Sequence, residues 1–192
     1  MDNNQYDDDL RQALKTLRQG GVILYPTDTV WGLGCDATNP EAVAKIFDIK
    51  KRAESKSMLV LVDSPIRAQI YVRDLTDLAF EIMQIANKPT TLILDGAKNL
   101  AKNLIADDGS IGIRVTSEKF SHDLCYRFQK AVVSTSANIS GQPAPATFNQ
   151  IPQQIKDAVD YVVRFRQDDT ATAKPSSIVK LKPDGQIKII RP

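Results

Sequence analysis

Histidine is nearly absent: the chain has one, His122, on a polar stretch with helical character. A single imidazole argues against a Ser-His-Asp triad and against a histidine-based metal site. Cysteine is almost as scarce. Cys35 and Cys125 lie far apart and neither belongs to a CxxC pair. They read as two buried thiols of a reducing compartment rather than as a disulfide. Long apolar runs are missing too. The longest clear one, Met58 to Val62, falls well short of the roughly 18 residues of a membrane helix. No P-loop sequence occurs, and Gly32-Leu-Gly34 lacks the third glycine of a dinucleotide fingerprint. Nor is one sign of charge in excess: 25 Lys+Arg stand against 23 Asp+Glu, a net +2. That is too little to argue for nucleic acid by itself. A phosphate-binding site in this chain must therefore be assembled from separate cations, hydroxyls and backbone amides.

What is present is an ordinary globular composition, 42% hydrophobic and 25% charged over 192 residues. This is enough chain for one domain with a full core, expected to span residues 1–192. The opening residues are acidic and polar, the opposite of a secretory or mitochondrial leader, so the expected location is cytoplasmic. Leu10, Ala13, Leu14 and Leu17 repeat at helical spacing, predicting a helix over 7–19 that Gly20-Gly21 stops. Val22 to Pro26 reads as a short buried strand. Asn39 as N-cap and Pro40 at the first helical position announce a second helix. Its apolar stripe of Val43, Ile46 and Phe47 continues onto Lys50, which must either snorkel to solvent or point into a polar cleft.

Further strands are expected over 59–63, 90–95, 110–115, 131–134, 159–165, 177–182 and 187–191. Helices are expected over about 65–71, 75–87, 117–129 and 147–157. Strands interleaved with helices predict an α/β domain. The last strands lack long intervening helices, which predicts a mixed sheet.

Four segments concentrate polar chemistry. Tyr25 to Gly34 (YPTDTVWGLG) places hydroxyls, a carboxylate and glycines at the end of a strand, suited to a small polar ligand as well as to a capped turn. Lys50, Lys51, Arg52 and Lys56 crowd the end of the second helix, where cations also simply favour the helix dipole. Ser134 to Gly141 (STSANISG) follows an apolar strand and offers donors to phosphate or carboxylate, or else turn-forming residues. Lys174 to Ile178 (KPSSI) places two serines at the start of a late strand.

In order and spacing these segments, with Ser110-Ile-Gly-Ile-Arg114 and the closing IIRP, resemble the YrdC/Sua5 family of threonylcarbamoyl-AMP synthases over residues 12–192. The resemblance implies a twisted mixed sheet with flanking helices around a positively charged cleft. It implies that L-threonine, bicarbonate (or CO2) and ATP become threonylcarbamoyl-adenylate and pyrophosphate, for modification of adenosine 37 in tRNA. By match to the family pattern Lys50, Arg52 and Lys56 hold the triphosphate, with Lys50 and Arg52 taken as catalytic. Ser136 and Asn138 sit beside the nucleotide, and Ser110 and Arg191 add ATP contacts. Thr29, Arg114, Ser134 and Ser176 contact threonine. Mg2+ is expected to arrive with ATP rather than on a protein metal site. The product would pass to the tRNA threonylcarbamoyl-transfer complex, with weak RNA or tRNA binding and no membrane partner.

Two departures from the family pattern stand out: Asn87-Lys-Pro-Thr90 replaces a proline-glycine turn, and Leu61 stands where some members carry histidine. The chain resembles the short form without an added C-terminal domain. A binding module gripping RNA in the same cleft, or a diverged carbamoyl-transfer enzyme, are the competing readings.

Overall fold

The computed structural model describes residues 3–52, 58–170 and 175–192. Its helices are α1 (Asn3–Arg18), α2 (Pro40–Lys50), α3 (Pro65–Ala68), α4 (Asp77–Ile85), α5 (Lys119–Phe128) and α6 (Gln153–Ala158). Its strands are β1 (Ile23–Tyr25), β2 (Gly32–Gly34), β3 (Leu59–Val62), β4 (Thr90–Leu94), β5 (Ile111–Val115), β6 (Val132–Ser136), β7 (Tyr161–Val162), β8 (Ser177–Leu181) and β9 (Ile187–Arg191). The described strands form one sheet in the order β7-β1-β2-β6-β3-β5-β4-β8-β9. Three parallel pairs (β1 with β7, β3 with β5, β4 with β8) stand among antiparallel ones, so the sheet is mixed, as expected.

The predicted stripe of α1 is buried, and Tyr6 and Asp9 join it. The helix starts before residue 7 because the aspartates are not all cap residues. Asp9 is fully buried and accepts hydrogen bonds from the Tyr161 hydroxyl and from the backbone N–H groups of Arg164 and Phe165. Those amides are thereby taken from the ladder, which leaves β7 shorter than the strand expected over 159–165. The helix expected over 147–157 is split into a short 3-10 turn at Phe148–Gln150 and α6. Pro152, which has no N–H to donate, sits at the break.

Among the described strands β2 is the one with no sequence signal, since glycines carry no strand preference. It forms a hairpin with β1, with Tyr25 opposite Gly32. The fully buried Tyr25 ring lies against Gly34: a Cβ there would stand 2.6 Å from the ring and 2.9 Å from the Val133 carbonyl oxygen. The missing side chain is what lets the ring pack across the hairpin. Gly34→Ala is therefore expected to destabilise the protein by about 1–3 kcal/mol, the usual cost of overpacking a filled core. A thermal melt reads this directly, and an unchanged midpoint would mean the ring can move aside.

Candidate active site

The registers explain why one face of the sheet is hollow. Gly32 lies opposite Ser136, Ser134 opposite Leu59, and Leu59 opposite Gly112. Because side chains alternate across a strand, these residues share a face whose middle carries mainly glycine and serine. A Cβ at Gly112 would stand 3.2 Å from that of Leu59, so even alanine would crowd this floor. The opposite face carries Val60, Val62, Leu92, Leu94, Ile111 and Ile113, all buried. One face is core and the other is a depression.

A cavity of about 270 Å³ occupies that depression. Seven residues expected at the site line it: Thr29, Arg52, Arg114, Ser134, Ser136, Ser176 and Arg191. Thr29 comes from the β1–β2 connection, Arg52 from just beyond α2, Ser134 and Ser136 from β6. Arg114 comes from β5, Ser176 precedes β8 and Arg191 ends β9. Three guanidiniums and several hydroxyls thus converge from segments distant in sequence. No Asp, Glu, His or Cys is among the described residues that line it. Such a donor set suits an anion.

The charges are held in place rather than left mobile. Arg114 is buried, and its Nη2 lies 2.9 Å from Asp28 Oδ1 and donates to Thr29 Oγ1 at 3.3 Å. Burial raises the Asp28 carboxyl above its ordinary value, against the opposing pull of Arg114. Arg191 donates through Nε to the Ser176 carbonyl at 2.8 Å. Its guanidinium is held below its ordinary value by burial and then by the charge of Arg114. Arg52 is lowered by burial alone. Cations that weaken one another in a half-buried pocket gain when an anion enters.

Three expected residues are not brought to the cavity wall. Lys50 is 1% exposed, and its ammonium donates to the carbonyls of Ser136 and Asn138, the latter at 2.7 Å. It neither snorkels nor opens into the cleft, which corrects both alternatives drawn from its position on the apolar stripe. Burial, and then the neighbouring Arg52, bring its ammonium down to about 8. Asn138 is buried among the same contacts. Ser110 precedes β5 and donates to Asp108 Oδ1 at 2.6 Å. Four steps of extended chain, about 13 Å, carry it from Arg114. It belongs to a separate polar cluster in which Lys180 and Ser110 hold Asp108 down at about 2. Lys56 lies outside the described residues.

Other contributors were not among the expected site residues. Asp28 stood in view within PTDTVWGLG, but its partner comes from a strand far along the chain. Thr91 exchanges a 2.9 Å hydrogen bond with Ser176 beneath the cavity. Leu61, where some family members have histidine, is fully buried opposite Arg114 in the β3–β5 ladder. Lys51 is exposed, and its left-handed backbone (φ 49°) turns the chain out of α2 toward Arg52.

A mixed, twisted α/β sheet with flanking helices defines the class, and the comparisons agree with it. The Sua5/YciO/YrdC family model, described as "Telomere recombination", matches residues 15–192, and the chain belongs to that family. Within it, the threonylcarbamoyl-AMP synthase of Vibrio parahaemolyticus is 33% identical over 175 residues, 89% of this chain and 93% of the relative. Among solved structures, E. coli YciO matches with a TM-score of 0.82 at 24% identity, covering 95% of this chain and 87% of that one. P. abyssi Sua5 complexed with L-threonine matches with a TM-score of 0.79 at 20% identity, over 90% of this chain and 50% of the Sua5 chain. This chain spans half the length of that protein.

Proposed function

We propose that the protein is an L-threonylcarbamoyladenylate synthase, a nucleotidyltransferase that joins L-threonine, bicarbonate (or CO2) and ATP. The amine of threonine takes up CO2 as a carbamate. A carbamate oxygen attacks the α-phosphorus, the bond to the bridging oxygen breaks, and pyrophosphate leaves. An anion must approach a polyanion, so the protein's task is positioning and charge stabilisation. The observation that carries the reading is the cavity itself: three guanidiniums and several hydroxyls, with no carboxylate among the described residues that line it.

In this reading Arg52, Arg191 and Ser136, with Lys56, hold the nucleotide. Arg114 grips the threonine carboxylate, for which a guanidinium offers two donors at once, and Thr29, Ser134 and Ser176 complete that site. L-Threonine in the P. abyssi Sua5 structure and the naming of the V. parahaemolyticus relative support the assignment. Mg2+ would arrive as part of the nucleotide substrate, offsetting triphosphate charge. The product is a reactive mixed anhydride, to be handed in the cytoplasm to the complex that transfers the threonylcarbamoyl group to tRNA.

The test is pyrophosphate release from ATP, which is expected only when threonine and bicarbonate are both present. Serine lacks one methyl, worth roughly 1 kcal/mol on burial, and should be rejected only modestly. Equal release from ATP alone, or with unrelated amino acids, would contradict the assignment.

A further inference from the structure

Lys50 and Asn138 match the family pattern at the nucleotide site, yet their polar atoms are already committed elsewhere. A lysine ammonium has three N–H groups. Here they meet the Ser136 carbonyl, the Asn138 carbonyl and, at 3.5 Å, Asn138 Oδ1. The Asn138 amide donates to the carbonyls of Ile139 at 3.0 Å and Gln142 at 2.6 Å, while its oxygen accepts from Ser136 Oγ. The main chain closes the contact from the other side: Ser140 N–H donates to the Lys50 carbonyl at 2.8 Å. Neither side chain belongs to the cavity wall, whereas Ser134, Thr135 and Ser136 do.

We propose that Lys50 and Asn138 are positioning residues, a buried clasp that ties the turn after β6 to the end of α2 and so fixes the Ser134–Ser136 wall, without touching the triphosphate. The physical demand is local. The turn after β6 points two backbone carbonyls into the interior, and buried carbonyls need donors. Lysine supplies enough donors from one atom. To reach a phosphate it would have to strip those carbonyls and loosen the wall that the nucleotide rests on. Arg52, by contrast, is itself part of the cavity wall.

The inference rests on reading the cavity as an ATP site, and its test separates the two. ATP and AMP binding would be measured by calorimetry on wild type, Lys50→Met and Asn138→Ala. AMP keeps the adenosine and the α-phosphate but lacks the outer phosphates. A clasp predicts that each variant weakens ATP and AMP by the same factor, about tenfold or more, because uniform contacts are lost together. Loss of ATP affinity with AMP affinity intact would make Lys50 a phosphate ligand and overturn the inference. So would unchanged affinity for both. If Lys50→Met does not fold, Asn138→Ala removes the other half of the clasp and carries the same prediction.

Amide hydrogen exchange provides a readout independent of nucleotide. Protection should fall over residues 136–142 in either variant while the β3–β5 core stays protected. Unchanged exchange there would overturn the clasp. Wild-type protein that binds neither nucleotide would instead defeat the ATP reading, leaving the clasp to be judged by exchange.

Discussion

Arg52→Ala is expected to lower adenylate formation about 10²–10³-fold, the usual loss when one well-placed electrostatic donor is removed from a reacting centre. The residue stands just past the left-handed turn at Lys51 and lines the cavity. Its guanidinium is half-buried, and burial disfavours its charge, a cost that an incoming triphosphate offsets. A melt of the same variant separates a loss of rate from a loss of fold. Lys51→Ala is the matched control: Lys51 is exposed and should leave the rate within a few-fold. Adenylation rates of both variants, with thermal melts, decide the matter. Equal activity would remove the phosphate role from this cationic segment.

Substitution at Arg114 should separate binding from stability. Arg114→Lys keeps a cation beside Asp28 but loses the planar two-point grip on a carboxylate. Hydrogen bonds to charged groups are worth about 1.5–3 kcal/mol, so the threonine requirement should rise roughly 10- to 100-fold with the ATP requirement little changed. Arg114→Ala should do more. The Asp28 side chain is 8% exposed, and removing its partner strands a buried carboxylate. Breaking such a pair commonly costs about 3–5 kcal/mol.

The direction of the pH effect follows. Asp28 is already raised by burial, and losing Arg114 removes the strongest influence that opposes the rise. A raised folded-state value means that the unfolded carboxyl releases its proton first. Relative stability is then lost as pH rises above the ordinary aspartate value and recovers on acidification. Melts of Arg114→Ala should therefore improve toward acid relative to wild type. Weakened ATP with threonine unaffected in Arg114→Lys would move this residue to the nucleotide side.

The helices and most strands were legible because their apolar periodicity is local. The α1 stripe, the Asn39–Pro40 start of α2 and the strand around Val60 needed no tertiary information. Strand β2 was not legible, because Gly32 and Gly34 serve a close approach whose partners, Tyr25 and Ser134, become evident only once the sheet is assembled. At the site, residue types alone left turns and caps as equal readings, and it was the match to the family pattern that named seven residues the structure gathers on one cavity wall. Ser110 shows the limit. It sits one strand away from Arg114 in the same motif, yet that strand's length carries it to a different cluster. Lys50 shows another. Its place on the buried stripe was readable, but the carbonyls that capture it come from a turn far along the chain.

The central claim is that threonine, carbonate carbon and AMP are joined in this cavity. It is tested most directly by incubating the purified protein with ATP, L-threonine and carbon-13 bicarbonate and identifying the product by mass spectrometry. The account predicts an adenylate that contains threonine and carries the heavy carbon, formed in step with pyrophosphate and lost in Arg114→Ala. Pyrophosphate released without the label entering any adenylate, or a labelled product lacking threonine, would contradict it.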